Sequence, residues 1–142
     1  METRIVPDFS PLTAPYWQAC ARGELRLQRC RDCGLWVHFP ESVCRRCASE
    51  NLDFEPVAGT GVVETFTVVH RSFVPGYSSE VPYVLAWILL PEQEGLRVFG
   101  NVVDVAAADV RIAMPVEVRF EQIAEFDVDD QVGSLPVFAP IR

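Results

Sequence analysis

The chain has 142 residues, of which 49% are hydrophobic and 11% aromatic, and its formal net charge is −8. This length and composition suit one globular domain or a small domain with an appendage, and they exclude a chain that is disordered throughout. Every basic residue is an arginine, and residues 51–142 carry a net charge of −9 against +1 for residues 1–50. An acidic second half repels a phosphate backbone, which argues against general nucleic-acid binding.

We expect no targeting or membrane-spanning segment in this sequence. Its first residues, METRIVPDFSPLTAP, lack the apolar run of a signal peptide. The longest apolar stretch, Tyr83 to Leu90, is far shorter than the roughly 20 residues of a spanning helix. We therefore expect a cytoplasmic protein with no membrane partner. In a reducing compartment, paired cysteines favour metal binding over disulfides.

Residues 1–29 are predicted to form an N-terminal arm and a helix. Aromatic and small apolar residues recur at helical spacing after Pro15, namely Tyr16, Trp17, Cys20 and Ala21. Gly23 is predicted to end the helix, and a strand follows from Leu25. Because Cys20 is out of register with the other cysteines, we interpret it as a helix-face thiol that touches the core.

Residues 30–58 are predicted to form a zinc ribbon. The segment CRDCGLWVHFPESVCRRC contains two Cys-x-x-Cys pairs, formed by Cys30, Cys33, Cys44 and Cys47. Two such pairs can supply four thiolates to one tetrahedral ion, and a filled shell indicates a structural site rather than a catalytic one. We favour zinc, while iron in a rubredoxin-like site stays open because it takes the same ligands. His38 is interpreted as a hairpin residue, since four cysteines already complete the shell.

Residues 59–142 are predicted to form an OB-fold domain. Period-2 alternation and apolar runs indicate strands over 62–73, 83–90, 96–105, 115–123 and 135–141. We predict a bridge over 48–60, one helical turn over 106–112 capped by Asp104, and an acidic loop over 124–134. Five strands with a short helix between the third and the fourth is the order of an OB-fold. The predicted fold class is therefore mainly β, with an N-terminal helix plus zinc ribbon followed by a five-stranded OB-fold barrel.

These segments together resemble one family from about residue 15 to residue 140. The strings YWQACARGELRLQRCRDCG, GTGVVETFTVVHR, VPYVLAWILL and RIAMPVEV carry the resemblance, in matching order and spacing. The family is that of acyl-CoA-associated proteins with an N-terminal helix, a rubredoxin-like zinc ribbon and a C-terminal OB-fold. The resemblance implies a non-catalytic accessory subunit that bridges an acyl-CoA-processing complex and helps bind or channel a CoA thioester. The implied partners are a thiolase-like or lipid-transfer-protein-like enzyme (thiolase, aldolase or acyltransferase) or a MaoC-type hydratase.

The residues agree with a role that leaves catalysis to the partner. The sequence has no G-x-S-x-G elbow and no glycine-rich phosphate loop. Contacts with a CoA ligand are expected near the early barrel strands, at His70, Arg71, Phe73, Tyr77 and Tyr83. There an arginine can pair with phosphate and an aromatic ring can stack on adenine. The alternative is that Phe73 and Tyr83 belong to the core, and that His70 and Arg71 are an exposed strand end.

A partner interface is expected on the helix and the segment after it, at Tyr16, Trp17, Arg22 and Arg26. Aromatic residues are favoured at interface centres, and packing of the helix onto the chain's own ribbon is the alternative. The arginines around the ribbon are a second candidate for anionic CoA groups, with docking of an acidic partner as the alternative: Arg22, Arg26, Arg29, Arg31, Arg45 and Arg46. Two other function classes stay open, a stand-alone nucleic-acid-binding zinc-ribbon/OB module and a rubredoxin-like iron electron carrier.

Overall fold

The N-terminal helix is short and packs on the β-structure. The computed structural model describes residues 4–142, in which helix α1 spans Ala14–Ala21. Pro15 lies in its first turn, and Gly23 ends it with a φ of +78° while its N–H donates to the Cys20 carbonyl. The helix predicted after Pro15 is therefore confirmed. No helix in the described part of the chain is long and apolar enough to cross a membrane.

A small three-stranded sheet follows the helix. Its strands are β1 (Arg26–Cys30), β2 (Trp36–Val37) and β3 (Leu52–Pro56), in the antiparallel order β2-β1-β3. The bridge predicted over 48–60 is wrong where β3 lies, because Leu52 and Phe54 alternate with acids over too few residues to be read as a strand. The domain boundaries 1–29, 30–58 and 59–142 stay a prediction.

The remaining strands close into a barrel. They are β4 (Thr60–Val69), β5 (Tyr83–Leu89), β6 (Arg97–Val102), β7 (Pro115–Val128) and β8 (Gln131–Pro140). The order around the barrel is β4-β5-β6-β8-β7, and only the β6–β8 pairing is parallel among these strands. Short 3₁₀ turns span Ser78–Glu80 and Ala107–Asp109. The predicted five-stranded OB-fold barrel, with a short helical turn between its third and fourth strands, is confirmed.

The acidic loop predicted over 124–134 is wrong, because this segment forms the outer end of the β7–β8 hairpin. Phe126 and Val128 are buried while Glu125 and Asp127 face outward, so the alternation continues. A register shift between Gln122 and Asp127 interrupts the period, and this irregularity conceals the strand in the sequence. The true loop is a turn at residues 129–130, both with positive φ, as in a type I′ hairpin.

Several further boundaries differ from the prediction: the third barrel strand ends at Val102 rather than at residue 105, and the helical turn spans Ala107–Asp109 rather than 106–112. The first barrel strand ends at Val69 rather than at Phe73. The N-cap position of the helical turn is taken by Ala106, which makes no side-chain capping hydrogen bond, and not by Asp104, whose φ of +58° is incompatible with a helix cap. The Asp104 carboxylate instead accepts from Arg119 at 3.0 Å. Local preference thus placed these elements correctly but could not set their ends.

The core of the barrel continues into the ribbon sheet. Leu27 and Trp36 belong to the same buried cluster as Ile88 and Phe138 of the barrel. Gln93, in the turn between β5 and β6, donates to the Trp36 carbonyl at 3.1 Å and accepts from the Trp36 N–H at 2.9 Å. The ribbon is therefore fixed to the barrel by shared apolar contacts and by paired backbone groups.

Candidate metal centre and ligand surfaces

Four cysteines meet at the end of the ribbon sheet, contributed by two similar turns: Cys30, Cys33, Cys44 and Cys47. The first turn follows β1, and its second cysteine precedes Gly34, which has a φ of +80°. The second turn precedes β3, and Ala48 takes the equivalent left-handed conformation with a φ of +63°. In both turns this residue donates its N–H to the carbonyl of the first cysteine, at 2.9 and 2.8 Å. The two turns are therefore local copies of one ligand geometry.

The spacing of the sulfur atoms fits one tetrahedral ion. All four Sγ atoms lie within 4.8 Å of one another. The Cys30–Cys47 and Cys33–Cys44 sulfur pairs are 3.6 and 3.5 Å apart. Zinc–sulfur bonds of about 2.3 Å place tetrahedral ligands about 3.8 Å from each other. The set of thiolates thus suits a structural cation, and iron would take the same set.

Local electrostatics favour thiolates at two of the four positions. The N–H of Leu35 lowers the pKa of Cys33 to about 6, and the N–H of Cys33 lowers the pKa of Cys30. At Cys47 the N–H of Ser49 acts in the same direction, but desolvation and the other sulfurs raise the pKa to about 12. Four neighbouring thiolates therefore need a bound cation to neutralise their repulsion.

Cys20 lies apart from this cluster. Its side chain is buried in the helix face that packs on the rest of the fold, as the sequence predicts. Burial raises the pKa of this thiol to about 12, so the group behaves as a small apolar side chain.

The predicted ligand residues begin with an exposed segment after β4. His70 is exposed at the strand end, and the Arg71 guanidinium lies 5.0 Å from the Phe73 ring centroid. Phe73 is 81% exposed, so the alternative that it belongs to the core is wrong. This segment offers a cation and an aromatic face to solvent.

The other predicted ligand residues form a second group. The rings of Tyr77 and Tyr83 lie 5.7 Å apart and are partly buried. Arg4 covers one face of Tyr77 at 4.4 Å and forms ion pairs with Glu80 and Glu121. The N-terminal arm thus occupies a face on which a ligand ring would otherwise stack.

The predicted interface residues lie on the helix and the segment after it. Tyr16 and Trp17 are half-buried and in edge contact, and Trp17 packs against Phe126 of β7 at 5.4 Å. The alternative that the helix packs on the chain's own ribbon is therefore only partly correct, because the helix packs largely on the β7–β8 hairpin of the barrel. Arg22 and Arg26 are both paired with the same neighbouring carboxylate, that of Glu24.

Sequence reasoning missed an apolar pocket of about 300 Å³ between the helix, the end of the ribbon hairpin and the barrel. Trp17, Phe39, Leu85, Phe99 and Leu135 contribute to its lining. The available signal was the run YVLAWILL, in which the outward-facing positions are as apolar as the inward-facing ones. Such a strand has both faces covered, or one face that binds something.

Two family descriptions match successive parts of the chain. The first, ChsH2, rubredoxin-like zinc ribbon domain, matches residues 17–53. The second description, "ChsH2, C-terminal OB-fold domain", matches residues 54–121. The match therefore covers the ribbon together with most of the barrel.

Individual relatives extend this similarity. A DUF35 domain-containing scaffold protein of Methanocaldococcus jannaschii is 40% identical, over 73% of this chain and 72% of the relative. A probable enoyl-CoA hydratase alpha subunit of Thermomonospora curvata is 34% identical over 94% of this chain, which spans only 39% of that relative's length. The solved structure of an Ltp2-ChsH2(DUF35) aldolase contains a chain that is 32% identical with a TM-score of 0.79, covering 95% of this chain and 98% of that one.

Proposed function

This chain belongs to the ChsH2 family of DUF35 proteins, and on that basis we propose that it is a non-catalytic accessory subunit of an acyl-CoA-processing complex in the cytoplasm. The match to the chain from the Ltp2-ChsH2(DUF35) aldolase carries the proposal, because it covers nearly the whole of both chains. The relatives named scaffold protein and enoyl-CoA hydratase alpha subunit support it.

The partner in this proposal supplies the catalytic residues. It is a thiolase-like or lipid-transfer-protein-like enzyme, or a MaoC-type hydratase, and the present chain bridges subunits and helps bind or channel the CoA thioester. The relative named scaffold protein supports this division of labour.

The proposed contacts with the CoA ligand are made by side chains that the structure leaves exposed or partly exposed. Arg71 and Phe73 are available to a phosphate and an adenine ring, with His70, Tyr77 and Tyr83 beside them in sequence. The proposed interface includes the helix aromatics and the arginines after them: Tyr16, Trp17, Arg22 and Arg26. Because the helix aromatics and Arg26 are half-buried already, Arg22 is the most accessible part of this interface.

We test the accessory role by capturing the tagged chain from its native cells at several salt concentrations and identifying what co-elutes. We expect a stoichiometric thiolase-like or hydratase subunit, with turnover of acyl-CoA only when both chains are present. A chain that elutes alone at every salt concentration contradicts the proposal, as does turnover by the isolated, metal-loaded chain.

We further propose that the four-cysteine site holds one structural zinc ion. Cys44→Ser should lose the bound metal and most of the folded ribbon, since structural zinc contributes on the order of 10 kcal/mol in small zinc modules. The matched control is Cys20→Ala, which removes a buried cysteine outside the site. Elemental analysis should find one zinc per chain in the wild type and the control. Visible thiolate-to-iron absorption in the purified protein would contradict zinc.

A further inference from the structure

The outer face of β5 is apolar where a barrel normally meets water, and Phe99 of β6 extends this apolar surface between the polar side chains of Arg97 and Asn101. The inward-facing positions of β5 are buried as expected: Val84, Ala86 and Ile88. The outward-facing positions include Leu85 and Trp87, and Trp87 pairs in register with Phe99 of β6, which is 46% exposed. Outward positions of such strands are usually polar. We therefore expect another group to cover this apolar face.

The chain itself covers only part of this face. Phe39, at the end of the ribbon hairpin, approaches Trp87 with ring centroids 6.4 Å apart and remains 62% exposed. His38 lies 5.7 Å from Tyr16 of the helix. Between these segments and the barrel is the pocket of about 300 Å³, a size at the lower end of small-molecule sites. It has room for on the order of ten water-sized groups.

The pocket carries no formal charge near neutral pH. Among the described residues that line it, only Tyr16 and His38 are titratable. Burial lowers the pKa of His38 to about 4 and raises that of Tyr16, so both stay neutral. The His38 Nδ1 has no hydrogen-bond partner among residues 4–142. A charged group would be costly to desolvate here, whereas an apolar group would not.

A second, open pocket adjoins the first and shares its His38 and Phe39 walls. It contains two arginines and one acid. Arg97 forms a bidentate pair with Glu64, with both distances at 2.8 Å. Arg45 is exposed and has no carboxylate partner in the described part of the chain. This end of the groove therefore has one uncompensated positive charge beside an aromatic wall.

We propose that these two adjoining pockets form one groove that binds an acyl-bearing anion, with the acyl group in the apolar pocket and the anionic group at Arg45. That the ligand carries an acyl group rests on the proposed function. The groove itself is a different site from the exposed Arg71 and Phe73. A free fatty acid and an acyl-CoA share this chemistry, and titration with each separates them.

The test is calorimetric titration of the isolated, zinc-loaded full chain with decanoate below its micelle concentration, with decanoyl-CoA and with CoA. We expect decanoyl-CoA or decanoate to bind and CoA alone to bind more weakly. Leu85→Trp should fill the pocket and weaken binding by at least about tenfold. The matched control is Leu89→Trp, an outward position on the same strand that lies outside the groove. The control should bind within about twofold of the wild type.

The arginine is tested separately. Arg45→Gln should weaken binding of the anion by about fivefold at low salt, the scale of one exposed charge contact. Arg111→Gln removes another exposed arginine that lines none of the described pockets and should leave binding unchanged. If Leu85→Trp loses its zinc or its unfolding transition, Phe99→Ala is used in its place. Phe99→Ala removes an exposed side chain from the wall of the pocket.

Four results would overturn the inference. One is that neither decanoate nor decanoyl-CoA binds. Another is that a folded Leu85→Trp variant binds as well as the wild type, and the third is that CoA alone binds as tightly as decanoyl-CoA. If Leu85→Trp instead weakens only the capture of a partner enzyme, the groove receives a protein segment and the inference also fails. Because no partner is present in the titration, failure to find a partner enzyme does not affect this result.

Discussion

His38 lies where the ribbon, the helix and the barrel meet. Its ring centroid is 4.7 Å from that of Phe39 and 5.7 Å from that of Tyr16, and its buried Nδ1 has no hydrogen-bond partner in the part of the chain that the structure describes. An imidazolium at this position would lose hydration without gaining a counter-charge, which is why burial lowers the pKa of His38 to about 4. This single residue therefore links the stability of the fold to pH.

The sign of this linkage follows from the lowered pKa. In the unfolded chain a histidine titrates near 6.5, so between about pH 6.5 and pH 4 the unfolded state binds a proton that the folded state does not. The free energy of unfolding should then fall by about 1 kcal/mol between pH 7.5 and 5.5 through His38. Denaturant unfolding at both pH values measures it.

The control is His38→Gln, which should lose less stability over the same interval because one titrating group is gone. Comparing the two proteins cancels contributions from the metal site and from the carboxylates. Equal losses in the two proteins would show that His38 titrates normally in the fold.

At the scale of elements, helix α1 and the outer end of the β7–β8 hairpin stabilise each other. Ile123, Phe126 and Val128 form a buried cluster outside the main core, against Trp17 and Leu135. Two antiparallel strands extending past a barrel are marginal by themselves, and the helix provides the apolar surface they need. The acidic side chains of the hairpin face solvent on its other side.

Gly133 allows this close packing. A Cβ at this position would lie 2.3 Å from Cδ2 of Phe126 and 2.8 Å from Cγ2 of Val128. Gly133→Ala should therefore destabilise the fold by about 1–3 kcal/mol through overpacking, measured by urea unfolding. Because the clash is specific, Phe126→Leu should make the double variant less destabilised than the sum of the two single variants. Strict additivity would contradict a direct contact.

At the scale of the whole molecule, we expect the ribbon and the barrel to unfold as one cooperative structure. Leu25, Leu27 and Trp36 lie in the barrel's own hydrophobic cluster, and Gln93 pairs both backbone groups of Trp36. Several arginines on the surface are paired with carboxylates rather than aligned in a basic groove, which leaves the nucleic-acid alternative without support.

Gln93→Ala should lower the free energy of unfolding by about 1–3 kcal/mol, because it leaves the N–H and the carbonyl of Trp36 without partners. It should also speed the loss of zinc to a chelator, since the ribbon is then held less firmly. Gln131→Ala, in the exposed β7–β8 turn, is the control and should change neither quantity. Faster zinc loss with an unchanged unfolding transition would mean that the ribbon unfolds independently of the barrel.

Local patterns account for what could be predicted from the sequence. The meeting of four cysteines follows from two identical spacings, and the start and end of the helix follow from Pro15 and Gly23. The barrel follows from alternation over five segments. In each case the signal lies within a few residues of the feature it predicts. The outer end of β7 was not predicted because a bulge interrupts its period of two. The strand β3 was not predicted because it is too short to show a period.

The sequence by itself determined the family, the candidate metal ligands, and the order of the helix, ribbon and barrel, because each depends on the spacing of near neighbours. Only the tertiary structure decided which surfaces are available. It covers Tyr77 with Arg4, exposes Phe73, and joins residues 16–17, 38–40 and 85–101 into one groove. Such contacts depend on how distant segments pack, and no local period records that packing.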